Sequence, residues 1–191
     1  GMDEVEGLIY GEDVVITNDT IYCLTAPYLD NGYWNASKLY KYNRQNTTIE
    51  TINLGEIVLA RSLTYNENKG LYINVIPTYK YQWFDEYNNG SWVNEHGGIY
   101  HYNGTTINMV FANNDGIFYS TFGNDGKMYA TDTYGKVFVI DDNGDRVLCE
   151  GLFNMLKNIS FSLDGKIMYI TTFGGGTYRI TNYTLLDRFN K

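Results

Sequence analysis

The chain has 191 residues, of which 43% are apolar, 16% aromatic and 19% charged. That stock is too apolar for a disordered chain and too lightly charged for a coiled coil, and no apolar run approaches the ~18 residues of a membrane-spanning helix. Twenty-two Asp and Glu against fourteen Lys and Arg leave a net charge of −8, a surface that repels phosphate backbones and sets nucleic acid aside as a partner.

Gly1 ahead of Met2 reads as a residue left by tag cleavage. No basic stretch leading into an apolar one follows it, so the chain as given carries no export signal, and the compartment stays open. Gly7 to Tyr10 reads as a short extra strand. From there the chain repeats one pattern four times. The first run of each copy carries a Tyr near its start: Ile21-Tyr22-Cys23-Leu24, Leu71-Tyr72-Ile73-Asn74, Met128-Tyr129-Ala130-Thr131 and Met168-Tyr169-Ile170-Thr171. Each follows turn residues, namely Asn18-Asp19, Asn68-Lys69-Gly70, Asp125-Gly126 and Asp164-Gly165, which tolerate the positive φ of tight hairpins.

A second run follows in each copy, at Leu39–Tyr42, Ile99–Tyr102, Val137–Ile140 and Thr177–Ile180. A third comes at Thr48–Ile52, Thr106–Val110, Arg146–Cys149 and Thr184–Phe189. Upstream of each Tyr lies one more strand candidate, at Asp13–Thr17, Ile57–Thr64, Gly116–Phe122 and Asn158–Ser162. Helical periodicity is nearly absent, apart from a single turn expected around Leu152 to Leu156. The class is all-β, with four antiparallel strands per copy.

The two C-terminal copies resemble known repeats. Ile159-Ser160-Phe161-Ser162-Leu163-Asp164-Gly165-Lys166-Ile167-Met168-Tyr169-Ile170-Thr171-Thr172 is similar to a blade segment of YVTN and WD-type β-propellers. Gly126-Lys127-Met128-Tyr129-Ala130-Thr131-Asp132-Thr133-Tyr134-Gly135-Lys136-Val137 is similar to one of NHL-type propellers. The resemblance implies a single β-propeller-like domain of about four blades, at residues 8–53, 55–112, 115–150 and 156–190. It implies no activity, because propellers serve as scaffolds, binders, lactonases and other hydrolases alike. About four blades is fewer than the usual six to eight. Three outcomes stand open: a four-bladed ring, a half-ring that pairs with a second copy as a homodimer, or a fragment of a longer protein.

The spacing from the first-run Tyr to the second-run aromatic is 18 and 28 residues in the first two copies and 9 in the last two. The excess forms two insertions, at 26–38 and 77–98. All three tryptophans lie there, and Tyr33, Trp34, Trp83, Phe84, Tyr87 and Trp92 are the expected ligand-binding set. Aromatic rings interleaved with carboxylates suit a carbohydrate or a protein ligand; the plainer alternative is a satellite core in which the loops pack on themselves.

Signs of catalysis are sparse. His96, Glu95, Asp85 and Glu86 are the weak candidates, because a His beside carboxylates can move protons, whereas His101 between Tyr100 and Tyr102 reads as a cross-strand neighbour. Asp141 to Asp145 lacks the acidic twelfth residue of a calcium loop and reads as a hairpin turn. Cys23 and Cys149 match no metal spacing and read as buried free thiols. No metal and no cofactor are expected. The sequence reads as a non-catalytic binding or interaction module with an aromatic-rich face; the alternative is a propeller-type hydrolase, glycosidase- or lactonase-like, or a fragment of one, acting at the same face.

Overall fold

The computed structural model describes residues 11–30, 33–55, 57–79, 94–95, 97–151 and 156–184. The first sheet runs β1 (Gly11–Ile16), β2 (Thr20–Thr25), β5 (Leu39–Asn43) and β6 (Ile49–Ile52), with a small hairpin of β3 (Tyr28–Asp30) and β4 (Tyr33–Asn35) standing off between its second and third strands. The second sheet consists of β7 (Ala60–Asn66), β8 (Gly70–Val75), β11 (Gly98–Tyr102) and β12 (Ile107–Ala112), and carries the two-stranded stem of β9 (Thr78–Tyr79) and β10 (Asn94–Glu95) at the same place. The third is an uninterrupted meander of β13 (Ile117–Phe122), β14 (Met128–Asp132), β15 (Val137–Asp141) and β16 (Gly144–Cys149). The fourth contains β17 (Leu156–Phe161), β18 (Ile167–Thr172) and β19 (Thr177–Thr181). Every pairing is antiparallel.

Turn chemistry sets the hairpins. Gly126 adopts φ +76° after Asp125, a conformation that costs a residue with a Cβ, and the Tyr129 hydroxyl donates to the Asp125 carboxylate at 2.8 Å. Asp141 and Gly144 pair across the turn between β15 and β16, so the acidic stretch is the hairpin expected of it. Past Thr181 the chain enters a helical turn at Tyr183 and Thr184; the rest of the expected run to Phe189, the Gly7–Tyr10 strand and residues 152–155 lie outside the described residues. Leu156 opens β17 instead of closing a helical turn.

On strands that have a sheet on either side, the period-two alternation sends side chains to two different cores. On β15, Val137 and Val139 pack toward the fourth sheet, with Leu156, Ile159, Met168 and Ile170. Phe138 and Ile140 pack the other way, with Ile99 and Phe111 of the second sheet. A further core joins the first and second sheets through Leu24, Leu39, Leu63, Ile73 and Val75. The sheets are therefore stacked in chain order, and their first strands touch in series: β1 against β7, β7 against β13, β13 against β17. His101 pairs with Tyr72 across β11 and β8, and their rings stack at 4.7 Å. Both cysteines are free, and both are partly exposed rather than fully buried: Cys149 lies on β16, the last strand of its sheet, and Cys23 lines a hollow beside β1.

Candidate functional site

The pairing register shows which end of the stacked sheets the chain has elaborated. Gly11, Ala60, Ile117 and Leu156 begin the four first strands, opposite Thr25, Val75, Asp132 and Thr172 at the ends of the four second strands. The loops that leave those second strands include both long insertions, so all of them emerge at one end.

At that end each first strand is interrupted. The register slips by one residue between Gly11 and Asp13, Ala60 and Ser62, Ile117 and Tyr119, and Leu156 and Asn158. The residue left unpaired by each β-bulge is Glu12, Arg61, Phe118 and Lys157. A bulge re-aims the side chain it releases, and here the four released residues form a linked series. Glu12 pairs with Arg61 at 3.0 Å. The Arg61 guanidinium lies 5.4 Å from the Phe118 ring centre. Phe118 meets Phe173 edge-on at 5.2 Å, and the Lys157 ammonium lies 5.7 Å from the Phe173 ring. The cation–ring contacts are attractive through the ring quadrupole.

Hydrogen bonds behind this arc hold its backbone. The Ser62 hydroxyl donates to the Phe118 carbonyl at 2.8 Å, and the Asn74 amide donates to Ser62 at 2.8 Å. Ser120 donates to Asn74 Oδ1 at 2.8 Å, and Thr64 donates to the Ser120 carbonyl at 2.6 Å. Asn74 and Ser120 are fully buried, so the network joins the second and third sheets in a setting where an unmet partner is costly. Asp13 joins the first and second sheets by accepting the Leu63 N–H at 2.8 Å. Burial, with the Asp13 charge adding to it, raises the Tyr119 hydroxyl above its ordinary value.

Donor capacity in the arc is left over. Arg61 Nε is buried with no hydrogen-bond partner, and among the described residues no carboxylate pairs with Lys157. Phe173 is 46% exposed. Beside Glu12 a hollow of about 360 Å³ is lined by Gly11 to Val14 and Cys23 to Thr25. A second groove, of about 480 Å³, lies between Asn53, Leu54, Gly55 and Ile57 on one side and the outer strand β12 on the other.

One position out from the bulges, Thr25, Asp132 and Thr172 close their loops alike. Thr25 accepts the Lys38 N–H at 3.0 Å, and Thr172 accepts the Gly176 N–H at 3.1 Å. Asp132 accepts from Tyr134 and Lys136 through one oxygen, at 2.9 and 2.8 Å. Its other oxygen is buried without a partner, and burial raises its pKa despite the two backbone donors and the nearby Lys136. Burial also pushes the Cys149 thiol up to about 11 and raises that of Cys23, which disfavours the reactive thiolate at both.

Of the residues expected from the sequence, Tyr33 and Trp34 have their backbones in β4, opposite Asp30 and Leu29. Glu95 has its backbone in β10, opposite Thr78. Trp83, Phe84, Asp85, Glu86, Tyr87, Trp92 and His96 lie outside the described residues. The bulge arc went unnoticed in the sequence.

Among solved structures, the computationally designed Ika4 protein matches 95% of this chain over 98% of its own, at TM-score 0.62 and 8% identity. A gluconolactonase from Xanthomonas campestris matches 93% of the chain, at TM-score 0.59 and 13% identity. Virginiamycin B lyase from Staphylococcus aureus matches 90%, at TM-score 0.56 and 13% identity. The architecture is that of a β-propeller. The four sheets are its blades, and the bulge arc runs along their first strands at one end. The chain spans 59% of the length of the gluconolactonase and 55% of that of the lyase. At these identities the likeness carries fold and not activity. No protein-family profile and no curated protein matches the chain.

Proposed function

We propose that the chain is a non-catalytic binding module whose working surface is the insertion-bearing end of the propeller, taking a carbohydrate or a protein ligand. One observation supports this above the others: the described stems of both long insertions and all four bulges lie at one end. Bulges and long loops in an otherwise economical repeat mark where a fold spends residues on something besides its own packing. The arc at that end offers ring faces, a guanidinium and an ammonium. In propellers generally, loops vary while the scaffold stays fixed, and recognition lives in those loops.

The names of two structural neighbours, a gluconolactonase and a lyase, favour a second reading, a propeller hydrolase or a fragment of one acting at the same end. The two separate in one experiment. The whole chain is immobilised against a carbohydrate panel and incubated in parallel with gluconolactone. The binding module predicts saturable binding that a Trp34→Ala, Trp83→Ala, Trp92→Ala variant loses, with lactone hydrolysis at the buffer rate. Lactone turnover that Glu12→Gln abolishes would put the hydrolase in its place.

A further inference from the structure

We infer that the bulge arc is a subsite for a carboxylate carried on a ring with an apolar face, as in a uronate sugar or an aromatic acid. The inference rests on the binding reading above and specifies the chemistry at its centre. Along the arc the groups run carboxylate, guanidinium, phenyl, phenyl, ammonium, contributed by Glu12, Arg61, Phe118, Phe173 and Lys157. Arg61 already has one counter-ion, yet its buried Nε has no acceptor. Lys157 has a ring beneath its ammonium and, among the described residues, no carboxylate beside it. In a chain of net charge −8, the four released bulge residues reverse the sign locally, with two cations, Arg61 and Lys157, to one carboxylate, Glu12, while Asp13 beside it is engaged by the Leu63 N–H. Such a reversal draws in an anion and orients it.

The two phenyl rings set the rest of the ligand. Phe118 and Phe173 meet edge-on between the two cations, so a flat apolar face laid on them places its substituents toward Arg61 on one side and Lys157 on the other. A neutral ring would use the phenyl contact and leave both donors unmet. A bare inorganic anion would meet the donors and leave the rings exposed. A ring carboxylate answers both, its carboxylate accepting from Lys157 Nζ at one end of the phenyl pair, its CH or π face on the rings, and, in the sugar, a hydroxyl at the other end accepting from Arg61. Glu12 competes for the same guanidinium, so it sets the strength of the site and is displaced in part when the ligand arrives.

The probes are sodium trigalacturonate, its neutral methyl ester and sodium phenylacetate, titrated calorimetrically into the whole chain. The acidic sugar or the aromatic acid is expected to bind about tenfold more tightly than the ester, a difference of one ion pair, and to weaken as salt rises. Which of the two acids binds identifies the source of the carboxylate. Lys157→Met, an exposed position where a linear apolar side chain still covers Phe173, lowers the affinity for the acid about tenfold and leaves that for the ester unchanged. Glu12→Gln raises the affinity for the acid severalfold, a gain that a purely structural pair does not produce; circular dichroism checks that both variants fold. If the ester binds as tightly as the acid, the carboxylate subsite is overturned and the binding module stands. If none of the three probes binds, the subsite is overturned while the carbohydrate panel still decides the module. If Lys157→Met and Glu12→Gln both leave acid binding unchanged, the acid binds elsewhere and the arc is not its site.

Discussion

The middle two blades and the outer two are built from the same repeat, yet they meet different surroundings. Every residue of β14, at the heart of the third blade, is buried, because the second blade covers one face and the fourth the other. In β1 of the first blade the pattern alternates instead, and Val14 and Ile16 are 52% and 65% exposed while Val15 packs inward. On β19 of the fourth blade all but Ile180 are exposed. Burial here is decided by neighbours rather than by the repeat: one strand pattern yields a two-sided core or a one-sided one according to what lies next to it.

That contrast can be broken at several points. Tyr129 is fully buried in the third blade against Phe161 and Tyr183 of the fourth, so Tyr129→Ala should cost about 3–5 kcal/mol in urea unfolding. A loss under about 1 kcal/mol would mean that the third and fourth blades do not share a core. Asn74→Ala removes the centre of the polar network between the second and third blades and strands Ser62 and Ser120, for an expected loss of about 2–3 kcal/mol. A neutral result would show that water enters there and that the middle of the molecule is not sealed.

Asp141 supplies the pH dependence. The hydrogen bond from Arg146, at 2.9 Å, is the first cause holding its carboxyl well below the ordinary range. A depressed folded-state value means stability that is fully present above the ordinary carboxylate pKa and drains away as pH falls toward the folded one. Asp141→Asn should therefore lose about 1 kcal/mol at pH 7 and show a shallower decline of melting temperature between pH 4 and 2 than the parent; parallel curves would contradict the pairing. The smallest effect is expected on the outer face of the first blade. Val14→Ser and Ile16→Ser should each change stability by less than about 0.5 kcal/mol. A loss above about 2 kcal/mol would show that something covers this face in solution, a second copy included, and sedimentation of the variant against the parent would tell whether mass changes with it.

How much of this was legible beforehand divides along the same physical lines. The blades were legible because packing and turn formation restrict residue type: Tyr near the start of a strand and Asn, Asp or Gly before it recur since each position demands them. The location of the insertions was legible from loop lengths, and the β9–β10 stem and β3–β4 hairpin sit there. The bulges were not. Glu12, Arg61, Phe118 and Lys157 share no single residue type, because a residue released from the ladder has no ladder position to match. Aligning the repeats by similarity hides such a position, and only the shift in pairing register exposes it. The buried polar network escaped for a related reason, as Ser, Thr and Asn on a strand look the same whether they face water or one another.

Asp132 offers a last lesson, in protein engineering. Its loop-closing role is performed in two sister blades by a threonine hydroxyl, at Thr25 and Thr172, with no charge to desolvate. Since burial raises the Asp132 pKa, the ionised form weighs against the folded state at neutral pH and is relieved on protonation. The repeat thus contains a template for its own thermostabilisation: copying the sister residue as Asp132→Thr keeps a backbone acceptor in place and discards the buried charge.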